Sequence, residues 1–174
     1  YLCLCTSRTA VGHLGALNNR QFNEAAIGPR RRPLFILFHP APAVAEEIIT
    51  QDIIVDSKSG VSGGGRSLTL TNHFSEVNEN VFAYALNGHR HLPEITQELG
   101  PLAKEPLNLT FLTHLIPMTR GILSSCYTNL LDPSKWAGDN GKQNIIDLYQ
   151  DYYADDPFVQ VVSVPPKTKP NLGN

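Results

Sequence analysis

Short stretches of β-branched and aromatic residues, separated by Gly, Pro and Asn, dominate this chain and leave little room for long helices. Ile53-Ile54-Val55 reads as a buried strand ending at Asp56, and Val81 to Leu86 as a second. Leu107 to Thr113 and Ile122 to Leu130 are two more, and Phe158 to Val164 is a last one before Pro165-Pro166. Helical signals are fewer. Ala43 to Ile49 favours a short helix, and Pro93 at a first helical position, followed by Glu94 and closed by Gly100, frames another. Ile145, Leu148, Tyr149 and Tyr152 fall on one face of a third, which Pro157 ends. Strands outnumber helices and follow one another, which predicts an α+β fold with a mixed or antiparallel sheet.

Composition narrows the function classes. The 174 residues suffice for one domain, and the 41% hydrophobic fraction can fill a core. Fourteen basic against sixteen acidic residues leave a formal charge of −2, which gives no general attraction to nucleic acid or to an anionic membrane. The apolar run Leu34 to Phe38 is far short of the ~20 residues that a membrane-spanning helix needs. Cys3, Cys5 and Cys126 are too few for a disulfide framework and suit a reducing, cytoplasmic setting. The chain opens on Tyr1 with no basic-then-apolar leader, so a piece of a longer chain is expected.

Two segments could carry chemistry. Gly60-Val61-Ser62-Gly63-Gly64 fits G-x-S-x-G, in which a strand-to-helix turn thrusts a serine hydroxyl into a hydrolytic site. The alternating Ser67-Leu68-Thr69-Leu70-Thr71 that follows reads as a strand, against that context. The same glycines could cradle a phosphate on backbone N–H groups, with Lys58 and Arg66 supplying charge, or could form a plain turn. Gly88-His89-Arg90-His91-Leu92-Pro93-Glu94 puts two imidazoles two residues apart. They could be zinc ligands with His73 or His114 as a third, a general acid/base, or surface histidines. Cys126, between Ser125 and Tyr127 in a strand-like stretch, reads as a buried inert thiol. Asn108-Leu109-Thr110 fits a glycosylation sequon but lies inside a predicted strand.

Taken in order, these segments resemble one family. Asp56 to Arg66 is similar to its block D-A-K-S-G-V-S-G-A-G-R, Gly88 to Ile95 to G-H-R-H-x-P-E-I, and Phe111 to Ile122 to F-T-P-H-L-I-P-M-x-R-G-I. The family is N-acetyl-γ-glutamyl-phosphate reductase. The resemblance runs from about Ile48 to Asn174 and implies a domain like the carboxy-terminal one of glyceraldehyde-3-phosphate dehydrogenase, with a mixed, largely antiparallel sheet carrying helices on one face. Residues 1–47 then form a divergent segment and 48–174 the substrate and dimerisation domain, without the NADP-binding Rossmann domain.

The implied chemistry is NADPH-dependent reduction of an acyl phosphate to a semialdehyde in arginine biosynthesis. A cysteine thiolate captures the acyl group, and a histidine, His89 or His91, handles protons. Arg90 and Arg120 would hold substrate carboxylate. Lys58 and Ser59 would also bind substrate, and Gly60, Ser62 and Gly63 would lie against the cofactor. No metal is implied; a homo-oligomer is. The family's nucleophile belongs to a P-G-C-Y-P-T loop whose place here falls near Gly28 to Pro33, where there is no cysteine. The chain is therefore expected to be inactive alone, the alternative being a non-catalytic dimerisation or regulatory module derived from the enzyme.

Overall fold

A computed structural model describes residues 2–6, 39–64, 69–136, 139–156, 159–164 and 166–168. The apolar run at 34–38 and the basic run at 28–33 lie outside the described residues, as does Arg66. Five strands form one sheet in the spatial order β1-β5-β2-β4-β3. They are β1 (Leu2–Thr6), β2 (Ile49–Ser59), β3 (Phe82–Tyr84), β4 (Asn108–Leu115) and β5 (Ile122–Leu130). The pair β2/β4 is parallel, and β1/β5, β2/β5 and β3/β4 are antiparallel. This is the mixed, largely antiparallel sheet expected from the sequence.

Alternation along β2 decides the faces. Ile53 and Val55 are 1% and 0% exposed, while Ile54 between them is 44% exposed. Register carries that choice across the sheet: Ile53 and Val55 sit beside Leu109 and Phe111 of β4, and Val55 beside Cys126 of β5. Onto this face pack the helices α1 (Ala41–Ala45), α3 (Leu92–Leu99) and α4 (Asp139–Tyr152), through Val44, Ile95, Leu99 and Tyr149. The short helix α2 (Phe74–Val77) belongs to an excursion between β2 and β3. The opposite face shows Ile54, Leu112 and Tyr127 at 44%, 37% and 38% exposure.

Three expectations are corrected. The β-branched run at 158–164 is not a strand among its described residues, 159–164. β-Propensity acts through a partner strand and same-face neighbours, and Val161 packs against the helix-covered core without joining the ladder. The alternating run 67–71 is not a strand among its described residues, 69–71, and Leu70–Asn72 is a 3-10 turn. The strand read as ending at Asp56 runs on to Ser59, and Leu2–Thr6, within the segment called divergent, forms an edge strand in register with Cys126 through Ile122.

Burial fixes one solution property. The Cys126 thiol is pushed up to about 11, Tyr149 and Tyr153 are raised further, and in each case desolvation is the main cause. These groups keep their protons in the folded chain at pH values where the unfolded chain has lost them, so stability falls as pH rises above the unfolded thiol's ordinary value. Melting temperatures measured from pH 8 to pH 10.5 should fall steadily, and Cys126 should be alkylated only under unfolding conditions. A flat profile, or rapid alkylation of the native chain, would contradict this burial.

Candidate active site

The connection from β4 to β5 must pass over β2, because β2 lies between them in the sheet. Residues 116–121 make that crossing. Ile116 N donates to Ser59 O, Gly60 N to Gly121 O, Val61 N to Met118 O and Ser62 N to Thr119 O, at 2.9–3.1 Å. A Cβ on Gly60 would stand 2.8 Å from the Met118 carbonyl and 2.9 Å from the Arg120 amide, so only glycine fits under the crossing.

This arrangement limits the phosphate-cradle reading at residues 60–63. The amides of residues 60–62 are engaged by carbonyls of the crossing, and that of Gly63 by Gly60 O, so they are not free to hold an anion. The hydrolase context also fails: Val61–Gly64 is a 3-10 turn, not the start of an α-helix. Ser62 is exposed, and Arg120, also exposed, has its backbone beside Gly60.

Lys58 goes elsewhere. Its neighbour Ser59 is on the helix-covered face, so Lys58 emerges on the other face, where its ammonium pairs with Asp56. His114 lies in register with Lys58, and its Nδ1 is 3.1 Å from Asp56 Oδ1, although neither atom completes a hydrogen bond of good geometry. Lys58 and His114 thus leave the surroundings of the histidine pair. His73 is also apart, its Nδ1 2.7 Å from Ser75 Oγ. Among the described residues no cluster of three or more His, Cys, Asp and Glu could hold a metal ion.

His89 and His91 do come together, though not on an extended segment. A turn with Ala85 at φ 54° and Gly88 at φ 117° leads out of β3, and His91 already has helical angles at the cap of α3. The two imidazole centroids are 4.8 Å apart. Tyr84 from β3 and Phe111 from β4 enclose His89 edge-on, at 5.8 and 5.1 Å. Behind the rings, Thr113 Oγ1 donates to Tyr84 O at 2.8 Å, and Ser57 and Ser124 share a buried hydroxyl contact of 2.6 Å. Burial raises the Tyr84 phenol, and the Thr113 and Ser59 hydroxyls partly offset this.

Electrostatics separates the two histidines. Both are lowered, chiefly by burial; His91 and Arg90 lower His89 further. Arg90 also lowers His91, but the Glu94 carboxylate, one helical turn along, pulls it back up. Tyr84 and Phe111 were missed as site residues. Each lies in a segment that reads as a strand, but only the register Tyr84↔Thr113 in the sheet brings β3 beside β4.

The family model described as "Semialdehyde dehydrogenase, dimerisation domain" matches residues 33–174. The chain belongs to the semialdehyde dehydrogenase dimerisation-domain family. As a member, it is 47% identical over 156 residues to the N-acetyl-gamma-glutamyl-phosphate reductase of Pelotomaculum thermopropionicum, covering 88% of this chain and 43% of that protein. It is 43% identical to the protein of that name from Staphylococcus saprophyticus (90% of this chain, 45% of that one). With the one from Geobacillus kaustophilus it shares 42% identity (95% and 48%). This dimerisation domain therefore spans a little under half the length of the curated relatives it matches. Among the described residues, no helix is long and apolar enough to cross a membrane.

Proposed function

We propose that this chain is the substrate-binding and dimerisation part of an N-acetyl-γ-glutamyl-phosphate reductase, a cytoplasmic enzyme of arginine biosynthesis. The observation that carries this reading is the His89/His91 pair held by Tyr84 and Phe111 beside Arg90, in a chain 47% identical to a protein of that name. His91 is the better proton carrier, because the Glu94 carboxylate stabilises its charged form and no such support reaches His89. Arg90 and Arg120 are exposed guanidinium groups that can grip the substrate's carboxylates in a forked geometry. The Ser59 hydroxyl lies against the Tyr84 phenol.

Two parts of the chemistry do not fit the described residues. The amides at 60–63 are closed to a dinucleotide phosphate, so NADP, the hydride source of this family, belongs in this reading to a separate domain; Ser62 can touch it only through its exposed hydroxyl. Cys126 is buried, with its thiol held protonated, and is no nucleophile. Domain division at residue 48 belongs to the same proposal, although Ala41, Ala43 and Val44 already share the core with Ile53.

The purified chain should consume no NADPH with the acyl phosphate, yet should bind N-acetylglutamate, a stable stand-in for the substrate. Arg90→Ala should weaken that binding about tenfold, the worth of one charge-assisted hydrogen bond. Titration followed by NMR or calorimetry checks this. A folded chain that self-associates but binds no N-acetylglutamate would favour the non-catalytic module, and turnover by the chain alone would remove the argument from the missing thiol.

A further inference from the structure

We propose that His89 is a fixed, neutral hydrogen-bond donor rather than a proton carrier. The backbone amide of His91 donates to its Nδ1, the surrounding rings lock its plane, and its Nε2–H is thereby presented to a carbonyl or anionic oxygen of the bound ligand. The inference rests on the site reading above and divides the work of the two histidines.

The geometry carries it. His91 N lies 3.2 Å from His89 Nδ1, with the amide hydrogen directed at the ring. A nitrogen that accepts from a backbone N–H cannot carry its own proton there, so the neutral ring must hold its hydrogen on Nε2. Charging the ring would place a second N–H against the first and break that bond. The T-shaped contacts with Tyr84, Phe111 and His91 restrict ring rotation, so the tautomer and the direction of Nε2 are fixed together.

The neighbouring groups point the same way. From its own loop His89 meets His91 and Arg90, from β3 the neutral Tyr84 phenol, and from β4 the apolar Phe111. The carboxylate resolved in this cluster, Glu94, acts on His91. Nε2 has no hydrogen-bond partner among the described residues, which leaves its hydrogen for a ligand. A neutral imidazole donates to a carbonyl oxygen without delivering a full proton, which suits an acyl group whose oxygen gains charge when attacked.

Long-range 1H–15N spectra of the histidine side chains in the full chain test this directly. At pH 7, His89 should show a single tautomer, with Nε2 bearing hydrogen and Nδ1 bare, and should remain neutral as the pH drops past the ordinary value for imidazole. His91→Ala keeps the amide and should preserve the single tautomer; His91→Pro removes the amide N–H and should convert it to a mixture. Adding N-acetylglutamate should move the Nε2 signal. A wild-type ring found as a mixture, on the Nδ1–H tautomer or charged at pH 7 overturns the proposal, and this spectrum decides the matter even where the proline variant does not fold. Binding seen at Arg90 without a response at Nε2 overturns the donor role. The correct tautomer with no binding anywhere defeats the reductase reading instead, and the donor role with it.

Discussion

Gly60→Ala should destabilise this chain by about 3 kcal/mol, the cost of forcing a methyl group into packed backbone. The expected readout is a fall in melting temperature of roughly 6–12 °C for a chain of this size. The β4–β5 connection crosses the end of β2, and its carbonyl and amide groups stand 2.8 and 2.9 Å from where the new Cβ would sit. Those are backbone atoms, and they also accept or flank the bonds that Gly60, Val61 and Ser62 make to the crossing, so relief requires the whole connection to lift. Gly63→Ala is the comparison. Among the described residues its Cβ would meet only Ser59 Oγ, at 2.8 Å, and that hydroxyl can rotate away. The glycine requirement at 60 is refuted by an alanine variant that melts within a degree of the parent.

Ile53→Ala and Ile54→Ala, one residue apart, should act on different properties. Ile53 is 1% exposed in the core under α3 and α4, and its truncation should cost about 2–5 kcal/mol of stability. Ile54 is 44% exposed on the open face, where removing its side chain from a single copy should change stability by less than about 0.5 kcal/mol. That face, with Leu112 and Tyr127, is the surface we propose for pairing with a second copy, in line with the family's description as a dimerisation domain. Thermal melts at low concentration should therefore separate the two variants, and sedimentation should show weaker self-association for Ile54→Ala alone. Equal effects on stability would mean that the two faces are wrongly assigned. A dimer indifferent to Ile54 would move the interface elsewhere.

Much of the element content is visible in the residues. Ile122–Leu130 is a strand with the bounds that its sequence suggests, and the helix framed by Pro93 and Gly100 spans Leu92–Leu99. These segments succeed because their signals are local: a β-branched run in one, a proline start and a glycine stop in the other. The run 158–164 misleads because strand propensity needs a vacant partner, and the described part of this segment joins neither sheet edge. β1 escaped notice because five residues of modest propensity become a strand only when β5 supplies the ladder.

The candidate site divides in the same way. His89, Arg90 and His91 are contiguous, so their chemistry is legible in a line of text. Tyr84 and Phe111 are 27 residues apart in sequence and meet His89 only because β3 pairs with β4. Lys58 and Ser59 are adjacent in the motif, yet adjacent residues of a strand point to opposite faces, and Lys58 pairs with Asp56.

The amino-acid sequence by itself determined the composition class, most of the strands and helices, the histidine motif and the lack of a cysteine near its expected place. The tertiary structure alone decided that Gly60 lies beneath a backbone crossing, which face each residue of β2 serves, and that Nδ1 of His89 accepts from the His91 amide. The physical reason is range. Propensity and motif act over a few residues, whereas strand order, register and a hydrogen bond to a ring nitrogen depend on chain segments meeting in space.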